Sequence, residues 1–206
     1  MKTVRFILFL SLFLLPVPSV LAAVPFSYSA RQVTTIHSGG ETSITQSRVF
    51  VSGQKIREEL GVENGRAKSV MIVLMDENKA WSLDPARKIA LSIPLKVSSS
   101  QRMLAGDGKG LPAPSGTETV DGVLCDRINL VENGKPAGIE WRNHKTGYPV
   151  MFRTVDGRIT TRLSNFVVGP QPASLFAVPA DYRIMNLSGM GGVLGNALNK
   201  MLPSVP

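Results

Sequence analysis

The stretch ETVDGVLCDRINLVENGKPAGIEWRNHKTGYPVMFRTVDGRITTRLSNFV, residues 118–167, decides the fold of this chain. The pairs Asp121-Gly122, Asn133-Gly134 and Asp156-Gly157 separate runs of roughly 8–12 residues with alternating and β-branched content. Asn-Gly and Asp-Gly supply the positive φ angles that a type I′ hairpin requires. Almost no room is left for crossover helices, so the pattern indicates consecutive antiparallel strands. The predicted strands are 118–133, 135–144, 148–155 and 158–167.

The same pattern extends towards the N-terminus, where Gly39-Gly40 and Asn64-Gly65 are further turn signals. The strands predicted elsewhere are 26–37, 41–52, 55–60, 69–76, 80–83, 88–94 and a short last one at 182–187. The run 69–76 is almost wholly apolar, which suits a central strand covered on both faces. The chain is therefore predicted to be mainly β, with about ten antiparallel strands. Such a sheet is more often a binding surface than the site of an enzymatic reaction.

The C-terminal residues follow a helical period instead. The apolar positions are Met190, Val193, Leu194, Ala197, Leu198, Met201 and Leu202. They form one stripe that Pro203 ends, which predicts a short amphipathic helix. Gly191, Gly192 and Gly195 each weaken that helix by about 1 kcal/mol relative to Ala. We expect it to be ordered only against an apolar surface, either the open face of the sheet or a membrane or partner.

Residues 1–23 have the pattern of an export signal. Two basic residues precede an apolar core of about ten residues, and small residues permit cleavage after Ala22 or Ala23. The alternative is a retained anchor, but a membrane span needs about 20 apolar residues, and two prolines interrupt this run. The expected organisation is a signal peptide, a β domain over 24–187 and a helical tail over 188–206. No cysteine near the cleavage site could carry a lipid anchor, so we expect a periplasmic or secreted protein.

Charge and cysteine content narrow the class of partner. The formal net charge is +8, yet the basic residues are scattered, which favours a solvated cationic surface over a patch for anionic lipid. An export signal also argues against nucleic acid as a partner. The single cysteine, Cys125, cannot form an internal disulfide and is expected to be a small buried hydrophobe rather than a reactive thiol. Residues 96–116 are rich in Gly, Pro and Ser and are predicted to be a long loop.

Catalytic and metal-binding patterns are weak. His37 and His144 have no partner at metal-ligand spacing, and no G-x-S-x-G elbow or Walker spacing occurs. Glu58 and Glu59 are adjacent on a predicted strand, so they point to opposite faces and cannot act as a carboxylate pair. We expect no enzyme activity, no catalytic residue, no metal and no cofactor.

Several phrases together resemble one family. Residues 76–85, DENKAWSLDP, are similar to the D-G-K-x-x-W-x-x-x-P hairpin of the outer-membrane lipoprotein carrier LolA. Residues 49–59, VFVSGQKIREE, resemble the preceding hairpin of exported relatives, and residues 175–182, LFAVPADY, resemble the closing F-x-x-P-x-G-Y phrase. Residues 117–125, Ile139-Glu140-Trp141 and Gly147-Tyr148-Pro149 complete the order. The chain is identified as a member of the LolA-like superfamily over nearly all of residues 24–187.

The resemblance implies an open, curved antiparallel sheet, an unclosed half-barrel, whose apolar concave face holds a lipid or the acyl chains of a lipoprotein. The alternative is an envelope sensor or protein-interaction module on the same fold, without lipid transport. Residues 96–116 replace the carrier's lid helices. The expected partners are acyl chains, an envelope protein and peripheral membrane contact, with the chain a monomer. The candidate cavity residues are Met71, Val73, Met75, Trp81, Leu83, Trp141, Phe152 and Phe166; the alternative for each is ordinary core.

Overall fold

The computed structural model describes residues 26–95, 112–132 and 134–186. The strands are β1 Ser27–Ser38, β2 Glu41–Ser52, β3 Lys55–Leu60, β4 Ser69–Leu74, β5 Lys79–Asp84, β6 Ile89–Pro94, β7 Gly116–Val120, β8 Val123–Glu132, β9 Lys135–Asn143, β10 Pro149–Thr154, β11 Ile159–Val168 and β12 Arg183–Asn186. Two 3₁₀ helices, Met75–Glu77 and Ala173–Phe176, accompany them. The described part is therefore mainly β, as predicted.

All twelve strands form one curved, unclosed sheet in the order β12-β6-β5-β4-β3-β2-β1-β11-β10-β9-β8-β7. The prediction of about ten strands is corrected to twelve. One reason is that Asp121 and Gly122, with φ of 50° and 81°, divide the predicted strand 118–133 into β7 and β8. The second correction concerns direction, since β12 pairs with β6 in parallel whereas the other neighbours are antiparallel.

The predicted strand 69–76 also ends earlier than expected. β4 stops at Leu74, and Met75–Glu77 turns through Asn78, whose φ is 49°. Met75 therefore lies in a 3₁₀ helix and not in a strand. The predicted signal peptide, most of the loop 96–116 and the predicted helix 190–202 lie outside the described residues. Among those that are described, no helix is both long and apolar enough to span a membrane.

Strand register divides the side chains between two faces of the sheet, because residues paired across neighbouring strands point to the same side. We call one of them the Tyr28 face. Tyr28 pairs with Val51, Val51 with Ile56 and Ile56 with Val73, so these residues of β1 to β4 share that face. The other is the Trp81 face, on which Trp81 pairs with Ile72. The alternation places Val70, Ile72 and Leu74 of β4 on the Trp81 face, where all three are buried.

Residues 169–182, which we call the covering segment, pack on the Trp81 face. Phe176 is 6% exposed and joins the cluster of Val70, Ile72 and Leu83. Arg57 Nη1 on β3 donates a hydrogen bond to the Leu175 carbonyl at 3.1 Å. This segment carries the chain from β11 in the centre of the sheet to β12 at its edge. It therefore explains how β12 can join β6 in parallel.

We expect Phe176→Ala to lower the free energy of unfolding by about 3 kcal/mol, because it removes a buried ring and leaves a cavity over β4 and β5. Urea denaturation of the full chain measures this change. Val167→Ala is the control, since Val167 is 65% exposed and its truncation should change stability by less than about 0.5 kcal/mol. Equal effects of the two substitutions would contradict the covering role of residues 169–182.

Candidate ligand-binding face

A continuous apolar row crosses half of the sheet on the Tyr28 face. Its members, linked pair by pair from β1 to β6, are Tyr28, Val51, Ile56, Val73, Ala80 and Ile93. Five strand spacings make the row about 24 Å long. Tyr28, Val51, Ala80 and Ile93 are buried, whereas Ile56 and Val73 near the middle are half-buried. The row is thus an apolar track that keeps some accessible surface.

The neighbouring row of the same face mixes polar and apolar side chains. It runs from Val49 through Glu58, Met71, Ser82 and Leu91 to Met185. Glu58 Oε1 accepts hydrogen bonds from Gln32 Nε2 at 2.8 Å and from Ser47 Oγ at 2.7 Å. The apolar track therefore has one edge with carboxylate and hydroxyl groups, which is the arrangement that suits an amphiphile.

Four aromatic rings meet where the track reaches β1. The Tyr28 ring lies 5.3 Å from the rings of Tyr148 and Phe166, and Phe26 stacks on Tyr148 at 4.5 Å. Tyr148 immediately precedes β10, and β11 lies between β10 and β1. Strands separated by one neighbour are about 9.6 Å apart in a flat sheet. Convergence of these rings indicates that the sheet curves towards the Tyr28 face here.

A buried ion pair adjoins the aromatic rings. Arg142 Nη2 lies 3.1 Å from Glu140 Oε1, and the two side chains are 5% and 0% exposed. Arg142 Nη1 also donates to the Gly147 carbonyl at 3.0 Å. Register places Glu140 between Ile128 on β8 and Phe152 on β10, both on the Tyr28 face. The two residues are two apart on β9, so the strand period turns both charges to the same side.

Burial decides the protonation of this pair. Loss of hydration raises the pKa of Glu140 to about 7, although the neighbouring Arg142 opposes the rise. Burial also raises the pKa of Tyr28 far above its usual range, again against the effect of Arg142. The carboxyl group of Glu140 therefore changes its charge near neutral pH inside an apolar environment.

The sequence-predicted site residues fall into three places. Met71, Val73, Phe152 and Phe166 lie on the Tyr28 face, Trp81, Leu83 and Trp141 lie on the Trp81 face, and Met75 is buried in the 3₁₀ helix. Trp81 and Leu83 belong to the cluster beneath the covering segment. Trp141 is 1% exposed, and its Nε1 donates to Glu118 Oε2 at 2.8 Å. The eight cannot line one surface, and ligand contact by the Tyr28-face members stays a prediction.

Sequence reasoning overlooked Tyr28, Tyr148, Glu140 and Arg142 as site residues. The available signal was a pair of opposite charges at i and i+2 around Trp141, directly after the uncharged run 136–139. The other polar candidates lie on the surface: His144 Nδ1 is 2.7 Å from Asp126 Oδ1, and His37 Nδ1 is 2.9 Å from Thr42 Oγ1. Within the described ranges, no three His, Cys, Asp or Glu side chains are grouped so as to hold a metal ion. Cys125 is buried, as predicted.

Comparison with solved structures finds chains with a similar fold. An uncharacterised conserved protein from Thermus thermophilus is 12% identical, with a TM-score of 0.52 over 78% of this chain and 90% of its own. A LolA superfamily protein from Nitrosomonas europaea is 9% identical, with a TM-score of 0.39 over 74% of this chain and 90% of its own. A chain of the MucA/MucB complex of Pseudomonas aeruginosa is 11% identical, with a TM-score of 0.41 over 77% of this chain and 58% of its own. No protein-family model and no curated protein matches the chain.

We expect Glu140→Gln to flatten the dependence of stability on pH. The pKa of Glu140 is raised in the folded chain, so the native state binds more protons than the unfolded state between about pH 4.5 and 7. The protonated carboxyl group of Glu140 makes its whole contribution to the free energy of unfolding below the pKa of the unfolded chain, and this contribution is lost as the pH rises through about 7. The free energy of unfolding of the wild type, measured in urea at pH 5, 6.5 and 8, should therefore fall more steeply than that of the variant.

Glu58→Gln is the matched control, because Glu58 lies on the same face but accepts two hydrogen bonds and is only partly buried. This variant leaves Glu140 in place, so the fall of stability between pH 5 and 8 that is assigned to Glu140 should remain. A Glu140→Gln variant with the same slope as the wild type would show that the buried carboxyl group does not titrate in this range.

Proposed function

We propose that this chain is a non-enzymatic binding protein of the cell envelope that holds a lipid or an acylated ligand on its Tyr28 face. The observation that carries the proposal is the apolar row from Tyr28 to Ile93, which crosses six strands and keeps accessible surface at Ile56 and Val73. The predicted export signal supports the location.

The dimensions of the row suit an extended hydrocarbon chain. Burial of each CH₂ group contributes about 0.8 kcal/mol, so an apolar track of about 24 Å can hold an acyl chain without polar contacts along its length. Polar groups are needed only at the end of the ligand. Glu58, with its donors Gln32 and Ser47, offers such groups beside the track.

The double variant Met71→Gln and Val73→Thr tests this proposal. Both substitutions keep side-chain size close to the original but introduce polar atoms into the half-buried part of the track. Two lost apolar contacts should weaken the binding of cis-parinaric acid, a fluorescent fatty acid, about tenfold, which corresponds to 1.4 kcal/mol. Fluorescence titration of the full chain measures the affinity.

Ile44→Thr serves as the control, because Ile44 is 63% exposed and lies on the opposite face near the end of the β1–β2 hairpin. It should bind the probe as the wild type does. A wild-type chain that binds no probe, or a loss of affinity that is equal in the control, would overturn the proposal. Thermal unfolding of each variant shows that the fold is retained.

A protein-interaction module is the second candidate, and the edge strand β7 favours it. β7 ends the described sheet, and Thr117, Glu118 and Thr119 are exposed on it. An exposed edge presents unpaired backbone groups to which an extended peptide can add as a further strand.

Native mass spectrometry of protein recovered from its own envelope fraction separates the two candidates. A bound polypeptide that Thr119→Lys removes would support pairing at β7, since an edge lysine opposes strand addition. Bound lipid that persists in this variant would support the Tyr28-face proposal instead.

A further inference from the structure

Strand β12 brings the chain to the outer end of the apolar row. Met185 lies opposite Leu91, and Asn186 lies opposite Ser92. The next residue of β6 is Ile93, the last member of the row. A chain that continues from Asn186 in the same direction therefore stands beside Ile93.

Ile93 itself is buried, but the neighbouring row of the Tyr28 face is apolar and partly accessible at this end. Met185 is 43% exposed, and its partner Leu91 is half-buried on the same Tyr28 face. Val73 and Met71, on β4 further into the sheet, are half-buried as well. The side chains that remain accessible thus begin at β12 and continue towards the centre of the sheet.

We propose that residues 190–202 of this same chain occupy the apolar row of the Tyr28 face and compete there with an external ligand. This segment lies outside the described residues and begins four residues after β12 ends. Its sequence carries one apolar stripe, Met190 to Leu202, that needs an apolar surface.

The length of the segment suits the part of the row nearest to β12. Thirteen helical residues extend about 20 Å, and the four spacings from β12 to β3 extend about 19 Å. A helix laid across the strands from the β12 edge would therefore cover Ile93, Ala80 and Val73 in turn. The three glycines that weaken the isolated helix make it depend on this contact.

Charge complements the apolar match. Lys200 is the only charged side chain in residues 187–206. Lys200 lies about 15 Å from the start of such a helix, and Glu58 on β3 lies four strand spacings, or about 19 Å, from β12. The long lysine side chain can span the difference. Glu58 stands beside the apolar row on the same face. One lysine thus meets the carboxylate that borders the track.

Cross-linking in the full chain tests where the segment lies. Ala197 is in the stripe about 10 Å from its start, which is the distance of two strand spacings from β12 to β5. Ser82 is half-buried on β5 and faces the Tyr28 side. The variant Ser82→Cys with Ala197→Cys should give an intramolecular product with a short bismaleimide, identified by intact mass and peptide mapping. The native Cys125 is fully buried and should not react.

Ser92→Cys with Ala197→Cys is the matched control. Ser92 is also half-buried and lies on the neighbouring strand β6, but it pairs with Trp81 and faces the other side. A yield at least several-fold higher with position 82 supports the proposal. Equal yields, a higher yield at position 92 or no product from either variant would overturn it.

Competition with ligand rests on the proposed function and is tested separately. The full-chain variant Leu194→Ser with Leu198→Ser should bind cis-parinaric acid several-fold more tightly than the wild type, and an unchanged or weaker affinity would overturn competition. The two failures are distinguishable. Cross-linking at position 82 without any binding of the probe would contradict the proposed function alone, whereas binding without cross-linking would contradict the docked segment alone.

Discussion

The structure depends on one constraint, which is that the central strand β4 is apolar on both faces. The alternation of side chains turns Val70, Ile72 and Leu74 to one side and Met71 and Val73 to the other. A sheet of this kind must exclude water on two sides, so it needs two covers. The covering segment 169–182 supplies one, and its Phe176 and Leu175 pack on the Trp81 face. The other side is the Tyr28 face, which we propose as the surface for a ligand or a further part of the chain.

Local turn chemistry explains why so much of the sheet could be predicted. Gly39-Gly40, Asn64-Gly65 and Asp156-Gly157 lie between strands that pair with their sequence neighbours, and Gly40, Gly65 and Gly157 have φ of 84°, 75° and 70°. The pairing of β1 with β11 and of β6 with β12 involves residues that are far apart in sequence. No turn signal reports such contacts, and the parallel direction of β12 follows from the path of the covering segment.

The candidate site was harder to predict than the sheet, for a physical reason. Side chains alternate between the two faces along each strand, but the sequence does not show which face of one strand continues that of the next. The assignment of Val73 and Trp81 to opposite faces therefore requires the register between β4 and β5. A large aromatic side chain is also equally suited to a ligand cavity and to a core. Trp81 packs beneath the covering segment with the Lys79 ammonium 4.1 Å from its ring, and Trp141 is buried near Cys125 and Met151. Size and hydrophobicity identified residues that must be buried, but not the surface against which each is buried.

The pair Glu140 and Arg142 gives the Tyr28 face a property that an all-apolar surface lacks. Removal of two charges from water costs more than a single contact returns, and apolar replacements of buried pairs are often as stable. The pair is therefore weak evidence for stability. Its position beside Tyr28 and Tyr148, with a carboxyl pKa raised to about 7, makes the polarity of this end of the face depend on pH. A ligand bound along the apolar row, as proposed, would reach this group at the β1 end. Protonation of Glu140 would leave Arg142 as the net positive charge there, so the same surface would favour an anionic end group more strongly at acidic pH than at alkaline pH.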